Sequence, residues 1–350
     1  MHIKSITMQR KHIFLILLLL PFATSVRAQQ KFIGEQNLRF KDTTRNRPLT
    51  TEVWYPTTDN SRQPAAKKGY PFVTDPTIWS AKLPEKKLPL IMISHGTGGG
   101  RMTLEWLADT LVKQGFIVAA VDHWGNTYDN KIAIDFVTPW HRAQDISFVI
   151  TQLLNHPEFG KVIDQDRIGA AGFSIGGFTV IALAGGKLDI KALDDFSKTP
   201  EGVQETTIPE FPNLMSSVKE EDILASFAKS PPLKDNRIKA FFAICPAIGQ
   251  GFTKASQLKD VKSPIYIVGA QSDSITPVKT NAAHYHSLIP QSKYFMVKGK
   301  VGHYVFLNEA TPIVKQSGEV LFNDDPSVDR HAVHQAVGGM AAKFFTEILK

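Results

Sequence analysis

The chain has 350 residues, of which 43% are hydrophobic and 21% charged, so it can bury a sizeable core and is neither disordered nor of low complexity. A single cysteine, Cys245, excludes an internal disulfide, a cysteine-based zinc site and an iron–sulfur cluster. The formal charge of +7 suggests an acidic partner, but over half of that excess sits at the N-terminus.

Lys4, Arg10 and Lys11 precede the apolar run Ile13 to Leu20. Pro21 breaks the run, and Val26-Arg27-Ala28 offers a small-x-small cleavage site. These are the three parts of a secretory signal peptide over residues 1–28. The run is shorter than the roughly 20 apolar residues of a membrane span. An uncleaved anchor continuing through Phe22 and Ala23 is the competing reading. Cleavage after Ala28 would remove four basic and no acidic residues. The charge left is ordinary, and Lys67-Lys68 and Lys86-Lys87 read as solvated loop charge, so no nucleic-acid partner is expected. A periplasmic or secreted protein is expected, with no stable membrane span once the signal is removed. The remaining domain, 29–350, is large enough to fold without disulfides.

Leu38 to Lys41 and Glu52 to Tyr55 read as two early strands, with Arg45-Asn46-Arg47-Pro48 as the turn. Residues 56–88 are proline-rich and polar, which predicts a long surface excursion. Leu90 to Ile93 is a continuous apolar run, as for a strand buried on both faces. Leu104 to Gln114 reads as a helix ending at Gly115, and Phe116 to Val121 as the next buried strand. His141 to Asn155 carries Ile146, Val149, Ile150, Leu153 and Leu154 on one helical stripe, and His156-Pro157 ends it. Arg167 to Phe173 predicts a strand and Gly176 to Ala184 a helix. Residues 185–237 break the rhythm with loops and short helices, and are expected to form a small cap-like insertion. Strands resume at Ala240 to Cys245, Ile265 to Gly269 and Tyr294 to Val297. A last helix is expected from about Ala332 to Leu349. Alternating buried strands and helices predict a mostly parallel sheet covered on both faces.

Gly172-Phe173-Ser174-Ile175-Gly176 matches G-x-S-x-G, and it joins an apolar strand to a helix. That junction is where a nucleophile elbow sits. A serine hydroxyl needs a base, and on such a sheet the partners follow in the order Ser, acid, His. Of the histidines after Ser174, His284 and His286 lie in a helical stretch. His331 and His334 open the last helix, and both read as surface residues. Only His303 follows a strand through a short loop, so His303 is the candidate base. Asp273, on the loop beyond the Ile265 run, is the candidate orienting acid; Asp122, at another strand end, is held in reserve. One oxyanion donor should be the backbone N–H of Ile175. The other should come from Ser94-His95-Gly96-Thr97-Gly98-Gly99-Gly100, with the Thr97 N–H the choice and Gly98 its competitor. His95 reads as a structural hydrogen bonder. Trp124 and Tyr304 are candidates for lining the substrate pocket.

Asn46-Arg47-Pro48-Leu49, Val53-Trp54-Tyr55-Pro56, Ser94-His95-Gly96-Thr97-Gly98-Gly99, Val121-Asp122-His123, Asp145 to Val149, Arg167 to Ser174 and Gly302-His303 together resemble a group of bacterial proteins. These are the α/β-hydrolases often labelled predicted dienelactone hydrolases, which are similar to the platelet-activating-factor acetylhydrolase group. The resemblance spans nearly all of the chain after the signal. It implies an α/β-hydrolase fold with a mostly parallel sheet of about eight strands, helices on both faces and the 185–237 insertion as a cap. It places the oxyanion hole on Thr97 and Ile175. True dienelactone hydrolases use a cysteine nucleophile, whereas the elbow here carries Ser174, which favours simple esters. The expectation is a serine carboxylic ester hydrolase acting on small-molecule or lipid esters, with no metal or organic cofactor. A lipase or phospholipid acetylhydrolase, a peptidase, and a binding protein on a decayed hydrolase scaffold are the alternatives.

Overall fold

The computed structural model describes residues 32–350; the segment read as a signal peptide, 1–28, lies outside the described residues. The strands are β1 (Phe32–Asp42), β2 (Arg47–Thr57), β3 (Thr77–Trp79), β4 (Leu88–Ser94), β5 (Ile117–Val121), β6 (Ile163–Phe173), β7 (Ile238–Ile244), β8 (Ile265–Ala270) and β9 (Lys293–Val297). They form one sheet in the order β3-β1-β2-β5-β4-β6-β7-β8-β9. β2 is antiparallel to both β1 and β5, and every other neighbouring pair is parallel. The strand beyond the expected eight is β3, inside the stretch read as a surface excursion. Its three residues are too few to carry a periodic signal.

Alternate residues of β4 feed two cores. Leu90 and Met92 pack with Ile146, Val149, Ile150 and Leu153 of the helix Trp140–Asn155 and with Phe178 and Ile181 of the helix Ile175–Ala184. Ile91 and Ile93 pack on the other face with Leu107 and Leu111 of the helix Glu105–Lys113 and with Phe344 and Phe345 of the helix Arg330–Leu349. A strand with both faces covered must be apolar throughout, and each such side chain contributes about 1.5–3 kcal/mol on burial. The helix behind Ser174 is buried on every side, which explains why its sequence shows no polar face.

Two readings of the sequence need correction. Arg47 is not in the turn: it opens β2 and its guanidinium reaches inward to Asp145 and Asp135. His334 is not a surface residue. It is buried, stacks on Trp106 at 4.2 Å and hydrogen-bonds the Val305 carbonyl, whereas His331 is exposed. Among the described residues, no helix is long and apolar enough to cross a membrane. The parallel strands β4, β6, β7 and β8 end along one edge, and the loops leaving that edge carry the residues of interest, as expected for a sheet of this kind.

Candidate active site

Ser174 sits between β6 and the Ile175–Ala184 helix with φ 59° and ψ −122°. A non-glycine residue in this region stores about 1–3 kcal/mol of strain and persists only where its surroundings over-determine it. They do so here. The Ser174 N–H donates to the Ile244 carbonyl at 2.9 Å, and the Ser174 carbonyl accepts from Ala247 N–H at 3.0 Å. The flanking glycines are required by close approach. A Cβ on Gly172 would overlap the Gly176 carbonyl oxygen, and one on Gly176 would overlap the carbonyl of Ser94.

His303 opens a short 3₁₀ turn, His303–Phe306, after the loop that leaves β9. The Phe173 ring, next in chain to Ser174, packs against its imidazole with centroids 4.6 Å apart. His303 Nδ1 lies 2.7 Å from Asp273 Oδ2. The other oxygen of Asp273 accepts the backbone N–H groups of Ile275 and Thr276 at 2.9 and 2.7 Å, and Thr276 Oγ1 donates to Oδ2 at 2.8 Å. Asp273 therefore caps its own turn and meets His303 at once. Burial raises its pKa, but His303 and the Thr276 donors outweigh this and hold the carboxyl below the usual range. Thr276 was not anticipated from sequence; an aspartate followed three residues later by threonine is too common a turn pattern to single out.

Cys245, Asp273 and His303 bring one ligand-type atom each to within 4.8 Å of one another. Burial and the Asp273 charge push the Cys245 thiol well above its ordinary value, which favours its protonated form. The donor set suits hydrogen bonding better than coordination.

The loop after β4 lies beside the serine: a Cβ built on Gly96 would stand 3.4 Å from Ser174 Cβ. Three of its N–H groups are spent within the protein. Gly98 donates to Asn126 Oδ1 at 2.9 Å, Gly99 to the Gly96 carbonyl at 3.2 Å, and Gly100 to Thr103 Oγ1 at 2.8 Å. The Thr97 N–H has no acceptor among the described residues, so the geometry favours Thr97 over Gly98 as a free donor. Ile175 supplies the first N–H of its helix, one of those a helix leaves unsatisfied and a good site for developing negative charge.

Beneath this loop is a buried polar network. Asp145 receives Arg47 through Nε and Nη2, both at 2.9 Å, and lies 3.0 Å from His123 Nδ1. His123 Nε2 is 2.9 Å from Ser94 Oγ. Burial depresses His123 to about 3 and His95 well below its ordinary value, so both stay neutral and are only weakly basic at ordinary pH. Arg142 and Asp145 were missed, although a signal existed: they extend the buried stripe of the Trp140–Asn155 helix by one turn with charge.

Tyr304 is half-buried, with its ring edge-on to His303 at 5.5 Å and its hydroxyl 3.5 Å from Glu210. Glu210 belongs to the 185–237 insertion and reaches the oxyanion loop, since a Cβ on Gly98 would approach Glu210 Cβ to 3.0 Å. Burial raises its carboxyl pKa, with His303 and Tyr304 opposing. Phe211 of the insertion packs edge-on against Phe136 at 5.1 Å. Trp124 is half-buried against the core, and its carbonyl accepts from Arg47. Asp122, the reserve acid, is held by Arg101 and not by a histidine.

Residues 58–129 match the family described as platelet-activating factor acetylhydrolase, isoform II. A ferulic acid esterase from Streptomyces cinnamoneus has a similar structure, with 20% sequence identity and a TM-score of 0.59 over 91% of this chain and 90% of that one. The chain has the α/β-hydrolase fold. A comparison with curated proteins found no match. The family match over residues 58–129 points toward an ester hydrolase, while the neighbour, at 20% identity, shows the fold alone.

Proposed function

We propose that this chain is an exported serine hydrolase that cleaves carboxylic esters through an acyl-enzyme. The observation that carries the reading is the His303–Asp273 pair at 2.7 Å, packed through Phe173 against a serine held at positive φ. In this mechanism Ser174 Oγ attacks the ester carbonyl carbon. His303 Nε2, the ring nitrogen left after Nδ1 is given to Asp273, takes the hydroxyl proton and passes it to the departing alcohol. The carbonyl oxygen, negative in the tetrahedral intermediate, accepts from the N–H groups of Thr97 and Ile175. Water, deprotonated by His303, then releases the acid. Every step uses this chain's own groups.

Short or medium acyl esters are the proposed substrates, with Tyr304, Glu210 and the 185–237 insertion covering the site and Trp124 lining it. The match over residues 58–129 favours phospholipid acetylhydrolase-type activity as the second reading. Turnover of nitrophenyl esters of increasing acyl length, with fluorophosphonate labelling mapped to Ser174, tests the proposal. Absence of both in folded protein would overturn it. Export is tested by intact mass, which should place the mature N-terminus close to Gln29.

A further inference from the structure

We propose that Arg142 and His95 are positioning residues that fix and polarise the oxyanion-hole peptide. The idea rests on the reading of Thr97 as an oxyanion donor. A peptide is one planar unit, so the carbonyl of Gly96 and the N–H of Thr97 are two ends of the same group and point in opposite directions. Whatever grips that carbonyl aims that N–H.

The Gly96 carbonyl is gripped three times. His95 Nδ1 lies 2.6 Å away, Arg142 Nη2 donates at 3.1 Å and Gly99 N–H at 3.2 Å. The His95 tautomer follows from its other nitrogen: Nε2 accepts the His123 backbone N–H at 3.2 Å, so the proton is on Nδ1 and is donated to Gly96. Arg142 Nη1 donates to the preceding carbonyl, that of His95. One guanidinium thus spans two consecutive carbonyls on the side of the loop away from the free Thr97 N–H.

Ion pairing does not account for Arg142. It is 1% exposed, and Asp145 acts on it through space, its oxygens being given to Arg47, Arg45 and His123. The Arg142 Nε has no partner among the described residues. A buried cation of this kind costs stability, and its shortest donations go to the two loop carbonyls, with longer contacts of 3.4 Å to Ser94 Oγ and Asn126 Oδ1 and 3.3 Å to His95 Nδ1. Donation into a carbonyl polarises the amide and strengthens its N–H as a donor. It also holds the donor in place before charge develops, so little reorganisation is left for the reaction.

The test compares Arg142→Met, Arg142→Lys, His95→Leu and His95→Asn with wild type, measuring nitrophenyl acetate kinetics, affinity for a trifluoromethyl ketone and Ser174 labelling. Losing an oxyanion donor costs about 10²–10³-fold in kcat, so weakening one should cost about 100-fold in Arg142→Met and about tenfold in His95→Leu. KM should stay within about twofold, and ketone affinity should fall in parallel with kcat/KM. His95→Asn retains a donor near the Nδ1 position and should recover most of the His95→Leu loss, while Arg142→Lys should recover part of the Arg142→Met loss. Should Arg142→Met not fold, the two His95 variants decide. Folded variants with kcat within twofold of wild type, or with equal losses in substrate and ketone affinity, overturn the proposal. If wild type itself neither labels at Ser174 nor turns over, the hydrolase reading fails first, and the two failures are distinguishable.

Discussion

The molecule places serine, histidine and aspartate near one another in two regions, and the two regions differ in backbone, burial and charge. Ser94, His123 and Asp145 form an unbroken hydrogen-bonded chain with steps of 2.9 and 3.0 Å. The other is the proposed set Ser174, His303 and Asp273, in which the His303–Asp273 step is 2.7 Å and the serine is joined to it through the Phe173 ring packed on His303, with no hydrogen bond from the Ser174 hydroxyl among the described residues. By distance alone the first is a respectable triad. It differs in three respects. Ser94 ends β4 in ordinary strand backbone and is 1% exposed, whereas Ser174 stands at φ 59° on a turn with donor N–H groups beside it. His123 is neutral down to about pH 3. Asp145 is saturated by Arg47 and Arg45, so it braces the fold. On the proposed reading, backbone placement and the charge around the acid, more than the spacing of three side chains, set the two serines apart.

The largest effect should come from the serines. Ser174→Ala should abolish fluorophosphonate labelling and reduce kcat by about 10⁴-fold or more. Ser94→Ala should remain labelled at Ser174 and lose less than about tenfold. Labelling that moved to Ser94, or persisted in folded Ser174→Ala, would invert the assignment.

The acids should separate rate from stability. Asp273→Asn should cost about 10⁴-fold in kcat while the fold survives, because it favours the wrong imidazole tautomer. Asp145→Asn should instead cost about 3–5 kcal/mol in urea unfolding, since it leaves buried arginines without their carboxylate. A stable Asp145→Asn protein with activity lost outright would mean the inner grouping takes part in catalysis.

A third test uses pH. His95, His123 and His334 are each held neutral by burial, with His123 near 3 and His334 near 4. The unfolded chain binds these protons near 6.5, so it gains protons relative to the fold below that value. Their contribution to stability should therefore be complete above about pH 6.5 and fall as pH drops toward 4. Asp109, pushed up to about 8 by burial, contributes the opposite slope between about 4 and 8. His334→Gln should flatten the acid limb by up to about 1.4 kcal/mol per pH unit. An unchanged slope in chemical denaturation from pH 4 to 6.5 would count against a buried neutral His334.

The smallest expected effect concerns the insertion. Glu210→Gln should raise kcat/KM for esters with an anionic acyl chain by about threefold relative to neutral ones, by removing negative charge near the oxyanion loop. Equal change for both esters would place Glu210 away from the substrate.

Most strands and helices were readable from sequence because buried strands must be continuously apolar and buried helix faces must repeat. Thus Leu90 to Ile93 and the stripe Ile146, Val149, Ile150 and Leu153 lie where their periodicity places them. Ser174, Asp273 and His303 could be named because each stands in a loop leaving the same sheet edge, and chain order restricts the choice. Thr97 could be preferred as oxyanion donor from the sequence but Gly98 remained a competitor, since which N–H is spent depends on Asn126, 28 positions away from Gly98.

The elbow motif, the alternating apolar segments and the basic, apolar N-terminus are local patterns, and the sequence by itself determined what they imply about fold class and chemistry. Tertiary structure decided the rest. It turned Arg47 inward onto Asp145, buried His334 on Trp106 and set Arg142 under two loop carbonyls. It also brought Glu210 over a loop more than a hundred residues earlier in the chain. A charged side chain is buried only where distant partners receive it, and sequence spacing holds no record of which distant groups those will be.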